Sequence, residues 1–223
     1  MAAYDLEEQE QLSSIQAWWQ QHGNLVTGLL VVAAVVSVSF QGWNWYRNNQ
    51  AAKAGALFAQ VENAVAAGDA LRAKGAAGEL LDKYPGTAQA GFGALLAAKS
   101  QLAAGDTKTA KAELSWAAEK ASDSEVRDVA RLRLAALLMD EKAFDEALKQ
   151  LDKEPGASFS ANFAEARGDV LALQGKKSEA IVAYLAALNK RISTDGADIS
   201  EERRVKIARE VLTVKLESLG GKP

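Results

Sequence analysis

The sequence contains no cysteine and only one histidine, His22. Disulfides, thiol catalysis and cysteine-based zinc sites are therefore excluded, as is a metal site built from several histidines. A serine–histidine–aspartate set would have to form around His22, which stands at the edge of the most apolar stretch of the chain. We therefore expect no catalytic residues, no metal site, no cofactor and no small-molecule substrate, and do not predict an enzyme.

Proline and aromatic residues are also scarce. The chain has three prolines, and aromatic residues make up 7% of it. Alanine is frequent, and the other common residues are mostly good helix formers. Alternating runs of valine, isoleucine and threonine, which would indicate strands, are missing. The composition predicts an all-α fold.

Positive charge is missing from the first 46 residues, so the rest of the chain holds all 26 lysines and arginines. That remainder is nearly neutral, with both signs interspersed. It lacks the basic patch of nucleic-acid-binding proteins, and we expect no nucleic acid partner.

Residues 11–46 carry no charged side chain, and residues 25–40 are almost wholly apolar. A helix over residues 23–43 is about 31 Å long, which matches a hydrocarbon core of about 30 Å. We predict a transmembrane helix over residues 23–46. Aromatic side chains on both sides are the expected anchors at the two membrane interfaces: Trp18, Trp19, Trp43, Trp45 and Tyr46.

Two other kinds of segment are similarly apolar, a buried core helix and a cleavable signal peptide. A core helix needs no aromatic residues at both ends, and a signal peptide begins with basic residues and ends at a small-residue cleavage site. An uncleaved signal anchor fits better.

Residues 1–22 form an amphipathic segment in which Leu12, Ile15 and Trp19 share a helical face. That face lies on the membrane surface or a partner subunit, or the segment is a frayed cap on the span.

The remaining residues, 47–223, repeat themselves at intervals of roughly 33 to 37 residues. Each unit contains an apolar-periodic helix, a turn and a second helix. The turns are centred on Gly68, Gly105, Lys142 and Gly175. The fifth residue after each turn is an alanine, namely Ala73, Ala110, Ala147 and Ala180. The ninth is Ala77, Leu114, Leu151 and Tyr184.

Glycine suits a turn that ends a helix, and alanine suits the closest approach of two antiparallel helices. A unit of this kind cannot bury its apolar face alone, so units must stack. The pattern resembles the tetratricopeptide repeat and predicts three or four degenerate units in a solenoid; an irregular alanine-rich bundle is the alternative.

Residues 201–219 are predicted to form a terminal helix. We expect an apolar stripe of this helix to cap the stack, and the stripe consists of Ile207, Val211, Val214 and Leu216 or Leu219.

Gly91-Phe92-Gly93 begins a partial phosphate-binding pattern, but no strand precedes it. We interpret these glycines as sites of close helix packing.

In tetratricopeptide folds the first helices line a concave groove that binds peptide segments. Exposed phenylalanine beside mixed charge would suit unfolded ligands, although Phe58 and Phe92 also fit a plain core role. The predicted protein-binding groove consists of Phe58, Glu62, Phe92, Leu95, Lys99, Leu132, Glu165 and Asp169.

The whole layout is specific: the acidic stretch Tyr4–Gln11, the Trp18-Trp19 pair, Gly23, one span and degenerate repeats. It resembles the YfgM-like family of Gram-negative bacteria, the ancillary subunits of the SecYEG translocon. The resemblance implies an inner-membrane signal-anchor protein with a cytoplasmic N-terminus and a periplasmic domain. Its implied partners are the translocon, a membrane-anchored chaperone of the prolyl-isomerase type and secretory polypeptides.

The charges around the span predict the opposite orientation. Arg47 and Lys53 follow it, which by the positive-inside rule keeps the domain in the cytoplasm. The bias is only two charges, and long domains are translocated regardless.

We therefore predict a protein-binding subunit that assists periplasmic chaperone handling of secreted polypeptides in protein secretion. Two alternatives stay open. One is a tetratricopeptide scaffold with a folded partner in an envelope assembly complex for division or cytochrome maturation. The other is a regulatory adaptor that faces the cytoplasm.

Overall fold

A computed structural model describes the backbone of residues 2–192 and 199–221, and the side chains of residues 17–191 and 206–221. These residues form helices and short turns, without strands. The helices are α1 (Ala2–Ala66), α2 (Ala70–Lys83), α3 (Ala88–Ala103), α4 (Thr107–Lys120), α5 (Ser124–Asp140), α6 (Phe144–Leu151), α7 (Ser160–Leu173), α8 (Lys177–Ile192) and α9 (Ile199–Ser218).

The chain divides into two compact units, residues 1–50 and 51–223. Helix α1 continues through both predicted boundaries, at residues 22/23 and 46/47, so the backbone marks neither. Residues 2–50 belong to α1, which contains the one helical stretch of the described chain that is long and apolar enough to cross a membrane, with a mean hydropathy of 2.0.

The aromatic residues flanking this stretch are exposed, and some contact each other. Trp18 stacks on His22 with ring centroids 5.4 Å apart, and Trp43 lies 6.4 Å from Tyr46. Leu12 and Ile15, which we assigned to an amphipathic face, lie outside the residues whose side chains are described.

The four predicted turns are real and share one geometry. At the turn after α1, the amide of Asp69 donates to the carbonyl of Ala64 (2.9 Å), and that of Gly68 donates to Val65 (3.0 Å). This pair of bonds is the Schellman motif, which needs a left-handed residue at the helix end. The same two bonds recur at each turn. The four left-handed residues are Gly68 (φ 70°), Gly105 (φ 81°), Lys142 (φ 59°) and Gly175 (φ 76°).

The small residues after each turn lie where the two helices of a unit meet. The four alanines predicted at the closest approach are fully buried, and the residues four positions after them are buried as well. The described residues thus form four helix–turn–helix units. Residues 51–66 of α1, α3, α5 and α7 are the first helices, and α2, α4, α6 and α8 are the second helices.

The two glycines of the partial phosphate-binding pattern are packing residues, as interpreted. A Cβ at Gly91 would lie 3.0 Å from the Val126 side chain, and one at Gly93 would lie 2.6 Å from Leu80. Helix α3 therefore approaches α5 at Gly91 and α2 at Gly93 too closely to carry side chains at these positions.

The core consists mainly of alanine and leucine and forms four clusters between the first and second helices. Its largest cluster runs from Ala94 on α3 to Val170 on α7. A second cluster joins α7, α8 and α9 through Tyr184, Leu212 and Leu216. Smaller clusters join residues 51–66 to α2 and α3.

The terminal helix α9 packs on the stack through Leu216, as predicted, and Leu219 packs beside it, but the rest of the predicted stripe is not covered. Leu212 and Leu216 are fully buried, whereas Ile207, Val211 and Val214 are exposed. The prediction was wrong for these three residues because they share a helical face other than that of Leu212 and Leu216, and only the latter face is covered.

Helix α9 has the position and register of a further first helix. It ends in the same turn as the others: the amide of Gly221 donates to Leu216 (2.9 Å), and Gly220 has a φ of 83°. Counted back from that turn, Leu212 and Leu216 match Leu134 and Leu138 of α5, which are also buried.

Candidate protein-binding groove

A surface groove of about 510 Å³ lies between the first helices α3 and α5. Each helix presents apolar residues at the floor and a charged residue at the rim, because charged and apolar positions alternate at helical spacing. The principal lining residues are Leu95, Lys99, Leu102, Arg133, Leu137 and Asp140.

Three residues predicted from the sequence lie on this part of α3. Leu95 and Lys99 line the groove, Leu95 as a buried floor residue and Lys99 as an exposed one. Phe92 lies one turn before them and is 47% exposed. A phenylalanine this exposed contributes little to the core, which leaves its ring free for a ligand.

Phe58 and Leu132 are half-buried and contribute to packing. Phe58 packs with the cluster of Ala54, Leu80 and Ala90, and Leu132 packs against the main core. Glu62 is exposed on the last part of α1. The structure therefore places these three on first helices, where Glu62 is exposed and the other two are half-buried.

The two carboxylates predicted on α7 are already engaged within the chain. Glu165 accepts from Arg191 of α8 (2.8 Å) and from Nζ of Lys215 on α9 (3.0 Å). Asp169 accepts from the same Nζ (2.8 Å) and from the hydroxyl of Tyr184 (2.7 Å). Sequence spacing placed both acids on a first helix but gave no sign that α9 covers them.

Tyr184 and Lys215 keep the protonation states that their bonds to Glu165 and Asp169 need. Burial raises the pKa of the Tyr184 hydroxyl, and its bond to Asp169 raises it further. Burial lowers the pKa of the Lys215 ammonium, but its bonds to Asp169 and Glu165 outweigh this, so the net pKa is raised. At neutral pH the lysine is charged and the tyrosine is neutral, as the hydrogen bonds require.

Several groove residues were missed by the sequence reasoning. Arg133 and Asp140 supply charge from α5, and Leu102 supplies apolar surface at the end of α3. Register gave no signal for Arg133: counted back from its turn, it matches Leu96 of α3, which does not line the groove. By the same register, the exposed Ile207, Val211 and Val214 of α9 match Phe92, Leu96 and Lys99.

Comparison with known proteins agrees with this architecture. The sequence model of a family described as a tetratricopeptide repeat-like domain matches residues 16–221. Three curated relatives are each named an ancillary SecYEG translocon subunit. The Neisseria gonorrhoeae protein is 31% identical over 98% of this chain and 100% of its own length. The Haemophilus influenzae protein is 28% identical over 78% of this chain and 85% of its own length. The Escherichia coli protein is 26% identical over 90% of this chain and 95% of its own length.

The family resemblance and the helical repeat fold expected from the sequence are both confirmed. The match covers the apolar helix and the repeats together, and the repeat turns and buried alanines agree with it. The chain belongs to the family of ancillary SecYEG translocon subunits that carry a tetratricopeptide repeat-like domain.

Proposed function

We propose that this protein is a single-pass inner-membrane subunit that associates with the SecYEG translocon and holds segments of secreted polypeptides beside a periplasmic chaperone. The names of the relatives support the association with the translocon. The apolar stretch of α1 supports the membrane anchor. Residues 1–22 serve as the cytoplasmic segment, 23–46 as the span with its five aromatic anchors, and 47–223 as the periplasmic domain.

The observation that carries the binding role is the groove between α3 and α5. Its apolar floor with a lysine, an arginine and an aspartate at the rim suits a polypeptide segment of mixed composition. Phe92 and the exposed stripe on α9 extend apolar surface at the same register. Because the groove is open and charged at its rim, it binds polypeptide segments of many sequences with low specificity.

Such a groove binds each unfolded segment weakly, because the segment loses conformational entropy when it is ordered. A membrane anchor beside the exit of the translocon compensates by raising the effective concentration of emerging chains. The same groove is suited to an extended segment of a membrane-anchored chaperone of the prolyl-isomerase type. No chemistry is required of the subunit.

The orientation is the first thing to test, because Arg47 and Lys53 oppose it under the positive-inside rule. A C-terminal tag is followed during protease treatment of intact spheroplasts. We expect digestion from outside, since the domain is periplasmic in this proposal. Protection in intact spheroplasts with digestion after lysis would place the domain in the cytoplasm and overturn the proposal.

The groove is tested by site-specific photocrosslinking from position 92. Leu71 on α2 is the matched control, because it is an apolar residue that is 81% exposed on a second helix. We expect adducts with secretory polypeptides and with a chaperone at position 92, and few at position 71. Equal yields at both positions would show general stickiness. Adducts with one folded envelope protein alone would favour the scaffold role.

A further inference from the structure

A second pocket, of about 640 Å³, lies between the second helices α2 and α4. The half-buried side chains of Leu81 and Trp116 provide its apolar surface. Charged side chains from both helices also line it, namely Lys74, Asp106, Lys108 and Glu113. The pocket shares no residue with the groove between α3 and α5.

Glu113 is the unusual member of this set. The residue is only 7% exposed, and its Oε2 is buried without a hydrogen-bond partner among the described residues. Burial raises the pKa of this carboxyl group to about 7. A buried acceptor without a donor costs free energy, so a native chain keeps one mainly where something else supplies the donor.

The other charges of the pocket are largely satisfied. Lys74 donates to Oδ2 of Asp106 (3.3 Å) and to the hydroxyl of Thr109 (2.6 Å). Asp106 also accepts from the amide of Thr109 (3.0 Å), because it is the N-cap of α4. Lys74 and Asp106 are thus paired to each other, and Lys108 is exposed to solvent. Glu113 is the buried charged residue of the pocket lining that has an oxygen without a hydrogen-bond partner.

A glycine in the interior of α2 keeps this pocket open. Gly78 lines the pocket, and a Cβ built there would meet nothing within 4 Å. The packing of this chain therefore does not require glycine, unlike at Gly93, where a Cβ would collide with Leu80. Glycine within a helix costs roughly 1 kcal/mol relative to alanine, and at Gly78 the missing side chain leaves space in the pocket for a ligand.

We propose that this pocket binds an arginine side chain presented by a partner polypeptide. The Glu113 side chain turns its buried Oε2 toward the pocket, where the guanidinium donates to the carboxylate. The guanidinium plane stacks on Trp116, and the methylene groups of the arginine lie against Leu81. Arginine fits better than lysine, because a guanidinium is planar, stacks on aromatic rings and is more weakly hydrated than an ammonium. The site would give the second-helix face a sequence preference that the open groove lacks.

Trp116 provides a direct reporter for the experiment. It is the one tryptophan after position 45, since the other four are Trp18, Trp19, Trp43 and Trp45. The full chain is labelled with 5-fluorotryptophan in detergent micelles, and the Trp116 resonance is assigned with Trp116→Phe. The probe is N-acetyl-argininamide, and N-acetyl-norleucinamide is the uncharged control of similar length.

We expect a saturable shift of the Trp116 resonance with the arginine probe and none with the norleucine probe. Glu113→Gln keeps the shape of the side chain and removes its charge, and should weaken the apparent Kd by about tenfold or more. Gly78→Leu fills the pocket with a good helix former, and should abolish the shift while the circular dichroism of the domain is retained.

Three results would overturn the proposal. They are no saturable shift with the arginine probe, an equal shift with the norleucine probe, or an unchanged affinity in Glu113→Gln. Because Phe92 is not part of this pocket, such a failure would leave the groove between α3 and α5 as a separate question that position-92 crosslinking decides.

Discussion

Nζ of Lys215 on α9 lies 2.8 Å from Oδ1 of Asp169 on α7. The same ammonium lies 3.0 Å from Oε1 of Glu165 and 5.7 Å from the centre of the Tyr184 ring. One lysine thus ties α9 to the two acids of α7. With Leu212 and Leu216 it makes α9 an integral part of the stack.

Replacing Lys215 should loosen α9. In Lys215→Met the two carboxylates of Glu165 and Asp169 lose a partner, and because the cluster is partly solvated we expect a loss of about 1–3 kcal/mol in the free energy of unfolding. Lys206→Met, at an exposed position of the same helix, is the control and should change little. Amide hydrogen exchange of α9 checks this; equal exchange in both variants would contradict it.

Gly168 and Gly75 should respond in opposite ways to alanine. A Cβ at Gly168 would lie 2.5 Å from the Tyr184 ring, so Gly168→Ala should cost about 1–3 kcal/mol by overpacking. A Cβ at Gly75 meets nothing within 4 Å, so Gly75→Ala should stabilise α2 by about 0.5–1 kcal/mol. Urea denaturation measures both, and a stable Gly168→Ala would refute the packing at Tyr184.

Lys142 holds the left-handed position that glycine holds in the other three turns, with a φ of 59°. A side chain in this conformation costs about 1 kcal/mol, so Lys142→Gly should raise the free energy of unfolding by roughly that amount. Lys149→Gly, inside α6, should lower it instead, because glycine weakens a helix interior. Two changes of the same sign in thermal unfolding would argue against the turn geometry.

Two phenylalanines separate binding from stability. Phe163 is 4% exposed in the main core, so Phe163→Ala should cost about 3–5 kcal/mol. Phe92 is largely exposed, so Phe92→Ala should cost under about 1 kcal/mol and still weaken capture of unfolded polypeptides, which rests on the proposed function. Pull-down with an unfolded secretory protein, beside urea denaturation, measures the two effects. Unchanged capture in Phe92→Ala would show that Phe92 takes no part in binding.

Glu113 should make stability depend on pH. Its pKa in the folded chain is about 7, above the ordinary 4.5, and burial is the main cause; Lys74 lowers the pKa and Asp106 raises it, and Lys108 lines the same pocket. The folded state therefore binds more protons than the unfolded state between these values. The associated stability is complete below about pH 4.5 and is lost as the pH rises through about 7.

The difference between the two pKa values corresponds to roughly 3 kcal/mol. Glu113→Gln, which stays neutral, should therefore be more stable than the native chain at pH 8 and closer to it at pH 5. Urea midpoints at the two pH values measure this. A difference that does not grow with pH would show that Glu113 is not desolvated as the structure places it.

Much of the architecture could be predicted because its signals are local. An uncharged apolar stretch of membrane length depends on consecutive residues alone. The turns depend on one left-handed residue, and the closest helix contacts depend on one alanine, so Gly105 and Ala110 are recognisable without a fold. Even Lys142 was found, because its position in the repeat outweighs its low preference for that conformation.

Tertiary packing decides which side chains are exposed to solvent and which are covered by another helix. The sequence placed Glu165 and Asp169 on the first helix of a unit, but whether they face a ligand or α9 depends on where Lys215 arrives from a distant part of the chain. The same holds for α9, where the predicted residues Ile207, Val211 and Val214 stay exposed and the covered face is that of Leu212 and Leu216.

The amino-acid sequence alone was enough to assign the class of the protein: an apolar segment of membrane length, a stack of helical pairs with fixed turns, and a family. It was enough because helix periodicity, turn conformation and membrane length are encoded within one or two turns of chain. The tertiary structure alone decided that Phe92 is exposed, that the acids of α7 are occupied, and that Glu113 is buried beside an open pocket. Burial and pairing depend on neighbours far apart in sequence, which no local pattern specifies.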